Sequence, residues 1–382
     1  MNGLRADLVV VGAGMVGAAC AYYATRAGLS VVVVDRGGMA GGTTGAGEGN
    51  ILVSDKPPGP ELALAQWSGR LWRALGDELG THGIELEPKG GLVVTASPEE
   101  QAGLVTLAAR QRAAGVDVVD LAADDLAGYE PHLARDLCGG AFYPQDMQVQ
   151  PMLAAAQLLQ AAGARVLTRT TVTGIRRDPM GRVRTVVTDR GDVHTPAVVN
   201  AAGVWAGQFA ELAGVRLPIL PRRGFVLVTQ ALPPLVRHKV YAAGYVANVG
   251  RDSADLETSP VVEGTPAGTI LIGSSRERVG FDATISLPVL RRLAAGAVRL
   301  FPVLTSVAAI RAYRGFRPYS PDHLPVIGAD QRVPGLYHAT GHEGAGIGLA
   351  PATGHAIADL LTGRSPEVDL EHFAPERFDV HF

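Results

Sequence analysis

The sequence predicts an α/β protein, α+β overall, in which a Rossmann-like dinucleotide-binding domain is interleaved with a mixed-sheet second domain. Three observations predict it. The apolar run Leu8-Val9-Val10-Val11 leads into Gly12-Ala13-Gly14-Met15-Val16-Gly17, then a helical stretch, then a second apolar run that ends on Asp35. A second strand, glycine turn and helix lie near the other end of the chain, over residues 336–361. Between them, about residues 217–313 change character, with strands that alternate more and loops that separate them.

Each element follows from local chemistry. Residues 8–11 are continuously apolar, as a parallel strand buried on both faces must be. Residues 15–26 carry no breaker, and Gly28 suits a C-terminal cap. Residues 41–50 read as a long glycine-rich loop, and the prolines at 57–60 punctuate the chain before an amphipathic helix over roughly 61–79. Residues 84–143 mix strand, helix and turn signals and are expected to enter the second domain. Pro151 opens a helix that Gly163 ends. Strands follow near 165–167 and at 198–200, and a helix at 287–301 interrupts the alternating region. The expected division gives 1–84, 140–213 and 320–382 to the dinucleotide-binding domain, and 85–139 and 214–319 to the second.

Composition narrows the function classes. The chain has 382 residues, 47% hydrophobic and 19% charged, with a formal net charge of -3. Such a balance leaves no basic footprint for nucleic acid or an anionic membrane. Two cysteines, Cys20 and Cys138, in no paired motif, argue against a zinc site or iron–sulfur cluster, and no metal is expected. No apolar run is long enough to span a bilayer, and the opening residues run straight into a strand. A cytoplasmic location is expected.

The fingerprint carries the first chemistry. Gly12 permits the tight turn, Gly14 lets the backbone touch a pyrophosphate, and Gly17 allows close packing of helix on strand. Amides at the helix start, around Met15 and Val16, face the phosphates. Asp35 would accept hydrogen bonds from the ribose hydroxyls, with Arg36 beside it. This motif alone leaves nicotinamide and flavin both open. A second glycine turn at a helix start, Gly341-His342-Glu343-Gly344-Ala345-Gly346-Ile347-Gly348, is what a two-ended ligand such as FAD requires.

Several segments carry a family resemblance. They are the loop at 42–51, Val172, the turn at 199–206, the glycine turn at 341–349, and Gly315-Phe316-Arg317-Pro318-Tyr319-Ser320-Pro321-Asp322. In these segments the sequence resembles the D-amino-acid oxidase and glycine oxidase superfamily of FAD enzymes, over residues 7 to about 361. Within it, the similarity is greatest to a group holding D-hydroxyproline dehydrogenase, opine oxidase and hydrogen-cyanide synthase flavoprotein subunits.

The resemblance implies FAD contacts from Thr43, Thr44, Gly47, Gly49 and Asn50, which pass from ribose to flavin ring. It implies further contacts from Val172, Ala201, Ala202, Gly203, Trp205, and His342, Glu343, Gly344, Ala345, Gly346 and Ile347. FAD is expected to be noncovalent, because the cysteine of sarcosine-oxidase relatives is missing and no histidine-linked pattern is apparent. Arg317 matches the arginine that holds the substrate carboxylate, and it is expected among the FAD contacts as well. A planar guanidinium does this with two parallel hydrogen bonds.

The expected reaction is oxidation of a carbon–nitrogen bond in an amino, imino or opine-like acid, by hydride transfer to FAD. The resulting imine hydrolyses to an oxo acid and an amine. Electrons would pass to dioxygen, a quinone or a partner subunit, within a homo- or hetero-oligomer. Oxidation of a 2-hydroxy acid and a noncatalytic electron-transfer subunit are the alternatives. Tyr241 and Tyr245 are candidate carboxylate contacts or aromatic core. Glu48 and Glu343, inside the glycine loops, could bind a substrate cation or face solvent. Arg314 is either a second anion contact or structural.

Overall fold

The structure, a computed structural model, describes residues 4–244 and 254–378. The chain opens with β1 (Leu8–Val11), α1 (Met15–Arg26), β2 (Val31–Val34) and α2 (Pro60–Leu79). It then runs through β3 (Gly91–Thr95), β4 (Val119–Ala122) and β5 (Gly139–Tyr143) before returning as α3 (Pro151–Ala162), β6 (Arg165–Leu167) and β7 (Val198–Asn200). A long central stretch supplies β8 (Leu220–Thr229), β9 (Lys239–Ala242), β10 (Glu257–Gly264), β11 (Ile270–Arg276), α4 (Leu287–Leu300) and β12 (Ala309–Tyr319). The end returns as β13 (Val326–Ala329), β14 (Leu336–Thr340) and α5 (Gly346–Leu361).

Two sheets organise these strands. One has the order β13-β14-β7-β1-β2-β6, and the other β12-β8-β11-β10-β9-β3-β5-β4. In the first, β1 pairs in parallel with β2 and β7, and β7 with β14, so the N-terminal strand sits at the centre. Its residues are fully or almost fully buried, which is why the run 8–11 shows no polar alternation. Smaller pairings join Asn50–Ile51 to Met147–Gln148, and Val172–Arg177 to Val183–Thr188.

The first sheet is covered on one face by α1, α2, α3 and α5, whose apolar residues form one large core with it. Helices α1 and α5 touch closely: a Cβ at Gly354 would lie 2.5 Å from the Ala19 carbonyl carbon. The opposite face packs against the short helix Ala206–Leu212 and the sheet around Val183 and Val186. The second sheet carries α4 on its own core, formed by Phe225, Ile272, Leu293 and Phe301 among others.

Most expected elements are found, with two differences. Strand β5 pairs with β3 and β4, so the second sheet extends past the boundary expected at 139. Helix α5 begins at Gly346 rather than near 350. Glycines lower helix propensity without forbidding the conformation, and packing supplies the difference. Pro351 lies inside this helix and lacks the N–H it would donate. Ser68 Oγ and Trp72 Nε1 of α2 donate to the Gly348 carbonyl at 2.6 and 3.1 Å, filling the opened turn.

Candidate active site

A cavity of about 640 Å³ is lined by residues of both sheets, from Gly12 and Asp35 to Gly224, Val226 and Arg317. Its walls include Gly12, Gly14, Met15, Val16, Asp35, Arg36, Thr43, Thr44, Gly47, Glu48 and Asn50. Val172, Ala201, Ala202, Gly203, Trp205, His342, Glu343, Gly344, Gly346 and Ile347 complete the expected set found there. Gly17, Gly49 and Ala345 do not line it. Each of the two glycines instead permits a contact: a Cβ at Gly17 would lie 1.9 Å from the Gly12 carbonyl oxygen, and one at Gly49 would lie 1.6 Å from that of Val149. Ala345 precedes the first residue of α5 and caps it.

At the dinucleotide end, Gly12 has φ +116° and a Cβ there would lie 2.3 Å from the Ala201 carbonyl oxygen. The fingerprint turn is therefore clamped against the end of β7. Met15 N donates to Thr44 Oγ1 at 2.9 Å, tying the start of α1 to the 42–51 loop. Asp35 accepts from the backbone amides of Ala13 and Gly37, each at 2.7 Å, one per oxygen. A carboxylate oxygen accepts more than one donor, so these bonds fix it and leave capacity for ribose hydroxyls. The Arg36 guanidinium stacks 3.8 Å from the Trp205 ring centre, and Trp205 in turn stacks on Phe281.

A buried chain holds the 201–203 turn. Asn200 Nδ2 donates to the Ala206 carbonyl at 2.9 Å and contacts His338 Nδ1 at 3.1 Å, while His338 Nε2 meets Asp330 Oδ2 at 3.0 Å. Although burial pushes Asp330 up, His338 and Arg332 outweigh it and hold its carboxyl well below the usual range.

Midway, the turn Thr43–Ala46 lies on β12. Thr43 Oγ1 donates to the Phe316 carbonyl at 2.6 Å, and a Cβ at Gly315 would lie 2.8 Å from the Ala46 Cβ. His342 stands at the start of the second glycine turn with Nε2 against Thr353 Oγ1 at 2.9 Å. Burial pushes its pKa down to about 3, so it is neutral in the folded protein. An unfolded chain binds a proton there below about pH 6.5, so stability falls as pH falls through that value toward 3. The expected loss is about 1.4 kcal/mol per pH unit from this group. Urea unfolding at pH 6.5 and 5.5 should show His342→Gln losing less stability by about 1 kcal/mol, since the unfolded imidazole is already half protonated at pH 6.5; an equal loss would place the acid sensitivity elsewhere.

At the far end, Arg317 rises from β12 opposite Arg222 of β8, next to the cross-strand pair Gly224–Gly315. Its Nη1 donates to the Ser275 carbonyl at 2.8 Å, and a Cβ at Gly224 would lie 2.2 Å from that nitrogen. Glu48, 7% exposed, occupies the space left by Gly273, where a Cβ would lie 2.3 Å from Oε1. Asn50 Nδ2 donates to Glu48 Oε2 at 3.3 Å, and Lys239 Nζ stands 3.9 Å from the same oxygen. Lys239 also donates to Asn50 Oδ1 and, at 2.5 Å, to Glu263 Oε2. Lys239 and Glu263 are direct cross-strand neighbours on β9 and β10.

The other candidates separate. The carboxylate of Glu343 is held by Arg222 Nη1 at 2.5 Å and His323 Nδ1 at 3.0 Å. Burial pushes it up, but His323, Arg222 and Arg276 outweigh that and keep it below its ordinary value. Both oxygens thus serve the protein, although the residue borders the cavity. Of the two places expected for Tyr241, carboxylate contact or aromatic core, it takes a fully buried one that does not line the cavity. It lies one pleat beyond Lys239 on β9, where its hydroxyl shares a hydrogen bond with Ser54 Oγ, which also donates to Asp146. Tyr245 lies outside the described residues. Arg314 does not line the cavity; its guanidinium lies 5.9 Å from the Phe316 ring centre.

The sequence profile of the FAD dependent oxidoreductase (DAO) family matches residues 7–360. The chain belongs to this family. Glycine oxidase from Pseudomonas aeruginosa is 31% identical over 96% of the chain and 98% of its own length. Hydrogen cyanide synthase subunit HcnC from the same organism is 30% identical, covering 97% and 96%. Among solved structures, glycine oxidase from Geobacillus kaustophilus superposes with a TM-score of 0.88 at 28% identity, covering 98% of this chain and 99% of that one.

This DAO-family enzyme is therefore an FAD-dependent oxidoreductase. Its residues fit the cofactor: glycines that a Cβ would block line a cavity with an acid at one end and a second helix start, at α5, along its wall. Among the described residues, no helix is long and apolar enough to cross a membrane, and no cluster of His, Cys, Asp and Glu could hold a metal.

The sequence reading missed Gly224, Gly273, Lys239 and Glu263. Alternation was visible at 225–228 and 269–272, in β8 and β11, but β9 and β10 gave no strong signal, and it is the pairing of strands that brings these groups to Glu48.

Proposed function

We propose that the enzyme oxidises the carbon–nitrogen bond of an amino acid or secondary amino acid. The observation that carries this reading is Arg317 at the end of the cavity, with a carboxylate, Glu48, lining the same space. A cation and an anion there match the two charges of a zwitterion. The names of the relatives support it: glycine oxidase, and sarcosine dehydrogenase from Mus musculus, which is 27% identical.

In this reading Arg317 holds the substrate carboxylate through its planar fork, with the Ser275 carbonyl fixing the guanidinium plane. The clamp orients the α-carbon toward the cofactor, so positioning does much of the catalytic work. FAD, when bound, supplies the acceptor for the hydride of that carbon. Gly12, Gly14, Asp35 and Arg36 hold its adenosine and pyrophosphate half. Thr43, Thr44, Gly47, Asn50 and the turn at 342–347 hold its ring. Residues of the first sheet form the cofactor domain and those of the second the substrate domain. The imine product hydrolyses to an oxo acid and an amine, and dioxygen, a quinone or a partner subunit takes the electrons.

Anaerobic mixing with panels of amino, N-alkylamino and 2-hydroxy acids tests the reading through bleaching of the flavin band. Amino or N-alkylamino acids should bleach it. Bleaching by hydroxy acids alone would replace the carbon–nitrogen bond with a carbon–oxygen one, and bleaching by none would favour a noncatalytic electron carrier.

A further inference from the structure

Glu48 combines three properties that a structural ion pair does not require together. It is buried, it lines the cavity that Arg317 lines, and its Oε1 has no hydrogen-bond partner among the described residues. A buried carboxylate oxygen left without a donor destabilises the fold, because its hydration is lost and not replaced. The fold keeps room for it at a defined point, because β11 has glycine at 273, where any Cβ would collide with that oxygen.

The charged groups facing Glu48 come from every strand around it. They are Lys239 on β9, Glu263 on β10 and Arg317 on β12; Tyr313, also on β12, adds a hydroxyl that donates to the Gly47 carbonyl. Lys239 stands 3.9 Å from Glu48 Oε2 but is held at 2.5 Å by Glu263, so its charge is shared between two carboxylates, and Arg317 adds a second positive charge in favour of ionised Glu48. A substrate carboxylate arriving at Arg317 removes that part of the compensation for Glu48. The cluster then needs one positive charge, or one proton, at Glu48.

We propose that Glu48 receives the proton of the substrate's ammonium group, delivering the neutral amine for oxidation. This rests on the amino-acid reading above. One N–H bond breaks, one O–H bond forms on Glu48, and the electron pair stays on nitrogen, so the step needs no oxidant of its own. Burial pushes the Glu48 carboxyl above its ordinary value, against the pull of Lys239 and Arg317, which brings it nearer the working pH of a general base. The nitrogen lone pair so released is what drives hydride departure from the adjacent carbon.

The experiment compares FAD-loaded wild type with Glu48→Gln in anaerobic stopped flow, using an amino acid that bleaches the wild type. The wild type should reduce at a limiting rate that changes little from pH 9 to pH 7. In Glu48→Gln, reduction should fall about tenfold per pH unit below the amine's own pKa, and recover at high pH. Binding of propionate, a carboxylate without an amine, followed by the flavin spectrum, should survive within about threefold because Arg317 is intact.

An indicator dye adds a measurement on the wild type alone. No proton should reach solution between mixing and bleaching if Glu48 keeps it. An unchanged pH profile in the variant, loss of propionate binding, or a full proton released by the wild type before bleaching would each overturn the proposal. Wild type bleached only by hydroxy acids, or by nothing, would instead overturn the amino-acid reading and the proposal with it.

Discussion

Gly17→Ala is expected to leave the protein without its flavin. A Cβ at this position would stand 1.9 Å from the Gly12 carbonyl oxygen and 2.9 Å from its carbonyl carbon, both backbone atoms of the fingerprint turn. No rotamer change relieves such an overlap, so either α1 moves off β1 or the turn opens. The turn has no slack, since Gly12 is itself pressed on the Ala201 carbonyl and α1 is pinned by Gly354 of α5. Opening the turn displaces the amides at the start of α1 that face the pyrophosphate. Purified variant should be colourless or at least about 100-fold weaker in FAD affinity, equivalent to roughly 3 kcal/mol. A yellow protein with wild-type affinity, measured by flavin fluorescence on titration, would show that the close approach at Gly17 is unimportant to the site.

Arg317→Ala should give the opposite separation: a yellow protein with almost no turnover. Two charge-assisted hydrogen bonds to a carboxylate, at about 1.5–3 kcal/mol each, are lost from the clamp. In kcat/KM this corresponds to a fall of roughly 10³-fold for an amino acid that bleaches the wild type. Arg317→Lys should recover only a part, because an ammonium cannot reproduce the planar fork that the Ser275 carbonyl orients. The cofactor should stay, since Arg317 stands on β12 in the second sheet, away from Gly12 and Asp35. Turnover within about tenfold of wild type would remove Arg317 as the anchor.

The parts of the site that were legible in the sequence are those where backbone does the work. Glycines followed by a helix start, and an acid after an apolar run, state their purpose locally, because the phosphate-facing geometry is made within a few residues. Arg317 was legible through its setting beside Pro318 and the family it resembles. Tyr241 shows the limit. The family resemblance set it near a substrate-side loop with core packing as the alternative, and which of the two holds depends on Ser54 and Asp146, far away in sequence. Glu343 borders the cavity, but the partners of its oxygens were hidden for the same reason, since Arg222 and His323 reach them from two other elements. The second sheet hid most, because the register that sets Lys239 against Glu263 and Gly224 against Gly315 is a property of paired strands.

The central place of β1 has a consequence for how the protein is made. β1 is flanked by β2, which follows at once in sequence, and by β7, which follows much later, while β7 in turn pairs with β14, later again. Helix α5, whose apolar face closes on α1, is later still. A nascent chain that has made β1 and β2 but not β7 therefore carries an unpaired Val-rich edge, a state open to aggregation. The walls of the cavity come from residues as far apart as Gly12 and Ile347, so a chain that lacks the later strands has no complete cradle for the flavin that would stabilise the finished fold.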